Sequence, residues 1–208
     1  MKPHIAILTG GGDCPGLNAV IRAVTLALTR ECSARITGIE RGFHGLVARH
    51  VRPLSVADVS GILAEGGTIL GTHNRCDPFR WQGADCSADA MAYVRELGID
   101  ALVAIGGDGT MEIAERFHQL GLPVVGVPKT IDNDLPATDR CFGFDSAVAV
   151  VAAPSDSRSG SSTAKPRLTT SLTQLSFVAT TPDAWSARRS ESDRPRSSRS
   201  TSSVCRPR

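Results

Sequence analysis

No apolar run in this chain approaches the roughly 18–20 residues needed to span a membrane. The N-terminal Met-Lys-Pro-His leads into only four apolar residues, Ile5–Leu8, too few for a secretory signal. Aromatic residues are scarce, at 4% of 208 residues. The six cysteines (Cys14, Cys32, Cys76, Cys86, Cys141, Cys205) include no CxxC pair and no histidine at zinc-ligand spacing. They read as free thiols of a reducing compartment, and a cytoplasmic location is expected. Net charge is +2, so charge by itself points to neither nucleic acid nor membrane as a partner. Gly-Lys-Ser/Thr does not occur, which excludes a Walker A loop. The dinucleotide fingerprint is missed as well, because Gly10, Gly12 and Gly16 leave the last gap one residue too long.

What is present is unevenly distributed. Residues 1–150 hold 13 Lys/Arg against 17 Asp/Glu, a net of −4; residues 151–208 hold 10 against 4, a net of +6. The first 150 residues contain 11 Ile, 19 Gly and 5 Ser, whereas the last 58 contain no Ile, one Gly and 15 Ser. Such a break marks a tail. Residues 1–150 are expected to form the compact unit. Residues 151–208 are expected to be a disordered Ser/Arg-rich extension, either without selected structure or acting as an RS-like arm. The abruptness of the change near Val150 suggests translation in a shifted reading frame.

Within the first 150 residues, apolar runs alternate between two periods. Ile5–Thr9 reads as a strand closed by Gly10–Gly12, and Leu17, Val20, Ile21, Val24 and Leu28 then recur at helical spacing. Residues 35–40 form a weaker strand. Residues 55–65 read as a helix with Ser55 as its N-cap. Helices over 87–97 and 110–120 alternate with strands over 101–105 and 124–127, and a further helix begins at Ser146, with Pro154 expected to stop it. Alternation with short connections implies α/β architecture with a parallel sheet covered on both faces.

Three polar turns lie at the carboxyl ends of predicted strands, where open α/β sheets bind ligands. Gly10-Gly11-Gly12-Asp13-Cys14-Pro15-Gly16-Leu17-Asn18 lets backbone approach a phosphate closely ahead of a helix N-terminus, although a plain tight turn is equally compatible. In Gly106-Gly107-Asp108-Gly109-Thr110, Asp108 suits Mg²⁺, directly or through water; alternatively it caps the following helix. Pro128-Lys129-Thr130-Ile131-Asp132-Asn133-Asp134 puts two carboxylates on one side of an extended chain. They can bind a sugar hydroxyl and take its proton, or simply stabilise an Asx-rich turn.

The three turns together resemble the phosphofructokinase family over about residues 3–150. Gly42-Phe43-His44-Gly45-Leu46, and Gly66-Gly67-Thr68 with Gly71 and Arg75 beyond, add to the match. The resemblance implies a Rossmann-like N-terminal phosphofructokinase domain. It implies that Gly11, Phe43, Arg75, Asp108, Gly109 and Thr110 line the phosphoryl donor, with Asp108 on Mg²⁺. Thr130 and Asp132 would contact fructose 6-phosphate, Asp132 as the base toward its 1-hydroxyl, with Asp134 nearby. In this family Gly at 109 resembles ATP users and Lys at 129 resembles pyrophosphate users. The mixture is similar to an ATP-preferring subgroup, so ATP is the expected donor and pyrophosphate the alternative. A complete chain would be a homo-oligomer. Family members continue through a Met-Gly-Arg segment into a second α/β domain; no Met-Gly-Arg occurs here and no Met follows Met111. Little or no turnover of fructose 6-phosphate is therefore expected, and a non-catalytic nucleotide-binding fragment is the competing reading.

Overall fold

The structure, a computed structural model, describes residues 2–135 and 138–152. The expected tail over 151–208 lies outside the described residues apart from its first two positions. The elements in chain order are β1 (His4–Thr9), α1 (Leu17–Cys32), β2 (Arg35–Ile39), α2 (His44–Val47) and β3 (Val51–Leu54). They continue with α3 (Ser87–Glu96), β4 (Ala101–Gly106), α4 (Asp108–Gln119), β5 (Val124–Thr130), β6 (Phe142–Gly143) and α5 (Phe144–Ala152). Single 3₁₀ turns lie at Ile62–Ala64 and Pro78–Arg80. Among the described residues no helix is long and apolar enough to cross a membrane.

The strands form one sheet in the order β3-β2-β1-β4-β5-β6. All pairs are parallel except β2 with β3. The period of two along β1 explains how the sheet is covered. Ala6 and Leu8 face a core built with Ala90, Met91 and Val94 of α3 and Phe117 of α4. Ile7 faces the opposite core, with Leu17, Val20, Ile21 and Val24 of α1. Strands buried on both faces read as unbroken apolar runs, which is how β1, β4 and β5 look in the sequence.

The order reverses between β1 and β4. From β1 the chain moves to β2 at one side, and from β4 it moves to β5 at the other. Thr9 is paired with Ile105, and the amide of Gly10 donates to the Ile105 carbonyl at 2.8 Å. The carboxyl ends of two central strands thus lie side by side, at the point where doubly wound sheets open a crevice.

Three expectations change. The helix expected over 55–65 is a single turn followed by the 3₁₀ turn at Ile62–Ala64. Gly61 adopts a left-handed φ of 82°, which stops propagation. Ser55 does cap that turn, accepting from the amide of Asp58 at 3.4 Å. The sheet is also not wholly parallel, because β3 adds an antiparallel edge next to β2. Pro53 sits within it, consistent with an edge strand, where a missing N–H costs no ladder bond. Finally, α5 begins two residues before Ser146.

Phe117 joins two other phenylalanine rings in the core. It is fully buried, stacks on Phe43 at 5.5 Å and tilts against Phe79 at 5.2 Å. Phe117→Ala should lower unfolding free energy by about 3–5 kcal/mol in denaturant titration. A loss below about 1 kcal/mol would show that the site collapses around the cavity.

Candidate active site

The first wall of the crevice is made of backbone. Thr110 is buried, and its side chain occupies the space beside two strand ends. A Cβ on Gly10 would lie 2.5 Å from Thr110 Oγ1, and one on Gly106 would lie 2.4 Å from it. Only glycine admits this contact, which draws the start of α4 against the ends of β1 and β4. The N-cap of α4 is Gly107, in extended conformation, and Asp108 is the first helical residue. Asp108 is therefore not the cap that the sequence left open. Its carboxylate stands in the first turn, where the helix dipole favours negative charge.

A second helix follows the glycine loop, whose residues 10–14 line the same space. Gly16 precedes α1 with φ 95°, a left-handed conformation that glycine adopts without steric cost. Two positions later Asn18 is buried. Its Nδ2 donates to the carbonyls of Glu65 and Gly66, each at 3.3 Å, and its Oδ1 accepts from Ile69 N–H at 2.7 Å. The asparagine thereby ties α1 to the 65–69 segment. Although it stands in the glycine-rich motif, its spacing alone did not reveal that role.

Between these walls lies a cleft of about 510 Å³, within the usual range of small-molecule sites, roughly 300–1,000 Å³. Gly11, Phe43, Arg75, Asp108, Gly109 and Thr110 all line it, together with Lys129, Thr130 and Asp132. The three polar turns thus meet at one cleft, joined by Phe43 and by Arg75. Asp134 is not part of the lining. The chain bends after Thr130, and Asn133 takes φ 54°, so the extended geometry that would align Asp132 with Asp134 is lost. Asn133 Oδ1 instead accepts from Cys141 N–H at 2.8 Å, and Thr130 Oγ1 accepts from Asp132 N–H at 3.2 Å. A side chain at Gly109 would meet nothing within 4 Å.

Lys129 belongs to β5 rather than to a turn, and it is buried. Its ammonium donates to the carbonyl of Gly12, pinning the glycine loop from below. Burial pushes the Cys14 thiol up, and Lys129 partly offsets this. Cys76 is pushed to about 11, first by burial and then by Asp77 and Cys86. At neutral pH it remains a thiol and not a nucleophile.

Part of the lining was not legible as a site. His73, Asn74, Cys76 and Asp77 come from the segment after Gly71. Asp77 accepts from Phe79 N–H at 3.0 Å as cap of the Pro78–Arg80 turn. The dipeptide Asp77-Pro78 carries that signal, since a capping Asp followed by Pro opens a helical turn.

The phosphofructokinase family model matches residues 4–169. The chain belongs to the phosphofructokinase family. It is 51% identical over 147 residues to ATP-dependent 6-phosphofructokinase 2 of Streptomyces coelicolor, covering 71% of this chain and 42% of that protein. It is 48% identical over 147 residues to pyrophosphate–fructose 6-phosphate 1-phosphotransferase of Amycolatopsis methanolica, again covering 71% and 42%. Among solved structures, phosphofructokinase of Saccharomyces cerevisiae superposes with a TM-score of 0.65 at 31% identity, covering 74% of this chain and 24% of that one. The chain thus spans less than half the length of the curated relatives it matches. The mixed α/β fold with its mostly parallel sheet matches phosphofructokinase structures.

The Thr110 contact makes a sharp prediction about two neighbouring glycines. Gly10→Ala should cost about 1–3 kcal/mol by overpacking. Gly12→Ala has open space around its added carbon and should stay within about 0.5 kcal/mol of the parent. Thermal unfolding of the two variants measures the difference; equal midpoints would contradict the packing argument.

Proposed function

We propose that the cleft is the phosphoryl-donor half of a 6-phosphofructokinase site. The reaction would be Mg-dependent transfer of a phosphoryl group from ATP to the 1-hydroxyl of fructose 6-phosphate. The observation that supports this reading most is the convergence of Gly11, Asp108 and Asp132 on one cleft at the point where the strand order reverses. In this reading, backbone amides at Gly11 and the start of α4 receive the phosphates. Arg75 and Lys129 offset their negative charge, and Phe43 lines the wall beside them.

Among the described residues no group of three or more His, Cys, Asp or Glu could hold a metal ion. Magnesium is compatible with that, since it commonly uses one or two carboxylates and completes its shell with phosphate oxygens and water. Asp108 is the residue that would hold it, and the ion would supply charge neutralisation on the transferring group. Asp132 would accept the proton of the sugar 1-hydroxyl, with Thr130 contacting the sugar phosphate. Catalysis would rest on positioning and electrostatics, where about 1 Å of misplacement can cost on the order of 100-fold.

Two features bear on donor choice. The open space at Gly109 accommodates an adenine nucleotide without a repelling carboxylate. Lys129 is engaged by the Gly12 carbonyl, so its presence does not by itself demand pyrophosphate. The similarity to a relative named for pyrophosphate keeps that donor as the second reading. The sugar-phosphate half of the site would come from the second domain of a complete chain, which we propose forms a homo-oligomer. The 208-residue chain alone is accordingly proposed to bind nucleotide while turning over little fructose 6-phosphate.

The test is a coupled assay for fructose 1,6-bisphosphate on two proteins, the 208-residue chain and residues 1–150 fused in frame to the second domain of the Streptomyces coelicolor relative. The fusion should be active and should use ATP better than pyrophosphate, and the short chain should be at least about 100-fold slower. Comparable rates for both would overturn the half-site reading. Preference for pyrophosphate by the fusion would make Lys129, not Gly109, the donor-selecting position.

A further inference from the structure

Lysine is almost never fully buried without a partner, yet Lys129 is only 5% exposed, one residue before the end of β5. Its ammonium reaches the glycine loop that follows β1. Nζ donates to the carbonyl of Gly12, 117 positions away in the sequence. It also stands 3.5 Å from the place where a side chain on Gly11 would begin. The Cys14 thiol, pushed up by burial, is drawn back by the same cation. Gly11, Gly12 and Cys14 of the loop therefore all sense one charge supplied by β5.

The loop has much to gain from such a support. Glycine loses more conformational freedom on ordering than any other residue, and three stand here in a row. The Gly10 amide ties the first of them to Ile105 of β4. Gly11 then turns to a left-handed φ of 77°. The hydrogen bond from Lys129 fixes the next peptide, and a bond from a charged donor is roughly twice as strong as one between neutral groups.

We propose that Lys129 is a positioning residue for the phosphoryl donor: by holding the Gly11–Gly12 backbone it serves ATP and pyrophosphate alike and selects neither. The inference rests on the reading of the cleft as a donor site. ATP and pyrophosphate both offer a magnesium-bound terminal phosphate, and it is this shared group that the loop amides would receive. A residue that acts through the loop changes affinity for whatever phosphate rests on it. Lys129 thereby has a role independent of the donor, in place of the preference that its residue type resembles.

The test uses the 208-residue chain and Lys129→Met, which keeps most of the apolar stem and removes the ammonium. The Gly12 carbonyl-carbon resonance should shift between the two proteins; an unchanged signal in a folded variant overturns the inference. Calorimetric titration with Mg-ATP and with Mg-pyrophosphate then reads the consequence. Both affinities should fall by at least about tenfold, and by the same factor within about threefold, as expected for one lost hydrogen bond from a charged group. A loss confined to pyrophosphate, no loss for either donor, or a parent that binds pyrophosphate alone overturns the role. A parent that binds ATP alone, and loses it in the variant, supports it. If the variant fails to fold, the parent decides. Its Lys129 Nζ and Gly12 carbonyl signals should move together and alike with either donor, and an Nζ signal that answers pyrophosphate alone overturns the inference. Binding of neither donor to the parent would sink the donor reading and the role built on it, while the Gly12 carbonyl signal would still show whether Lys129 holds the loop.

Discussion

The contact of Thr110 with the glycines at the ends of β1 and β4 sets the geometry on which the rest depends. Two central parallel strands end side by side, and a helix must begin within a few ångströms of both. Any side chain on Gly10 or Gly106 would occupy the volume of the threonine, so neither position can carry one without displacing α4. This close approach places the N-terminus of α4, with Asp108 in its first turn, at the mouth of the crevice. The glycine-rich character of both turns is thus a packing requirement first, and the exposed backbone that suits a phosphate follows from it.

The opposite wall is held by side chains. Arg116 of α4 lies over the Phe79 ring at 3.6 Å and reaches Asp77 at 3.5 Å. Phe79 rests on Phe117, and Phe117 on Phe43. A chain of contacts therefore runs from the surface of α4 through the core to the cleft lining, fixing the 73–81 segment to the same helix that supplies Asp108. Asn18 performs the corresponding task for the glycine loop by bridging α1 and the 65–69 segment. Both walls are referenced to the ends of central strands.

Much of this was legible in the sequence because the signals were local. Buried parallel strands are unbroken apolar runs, and β1, β4 and β5 read that way. The helix faces of α1, α3 and α4 follow their periodicity, and the three glycine–carboxylate turns mark strand ends. The residues 55–65 misled because their apolar spacing is helical while Gly61 adopts a conformation that ends the turn, a backbone property that periodicity does not carry. The two-strand edge at β3 was hidden by Pro53 and by its brevity. At the site, Asp132 and Asp134 differ because Asn133 bends the chain between them. Of the wall around Arg75, the flanking residues His73, Asn74, Cys76 and Asp77 were missed since their position depends on contacts with α2 and α4, far away in sequence.

The central claim is that this cleft binds a magnesium–nucleotide complex through Asp108 at the helix start. Asp108→Asn is nearly isosteric and removes the charge while leaving the backbone amides of Gly11 and α4 in place. Isothermal titration of Mg-ATP into the 208-residue chain and its Asp108→Asn variant, with far-UV circular dichroism as the check on folding, measures the claim most directly. The account predicts that the variant is folded and binds at least about tenfold more weakly, the worth of roughly 1.4 kcal/mol in a charge-assisted contact. Equal affinity in two folded proteins would contradict it.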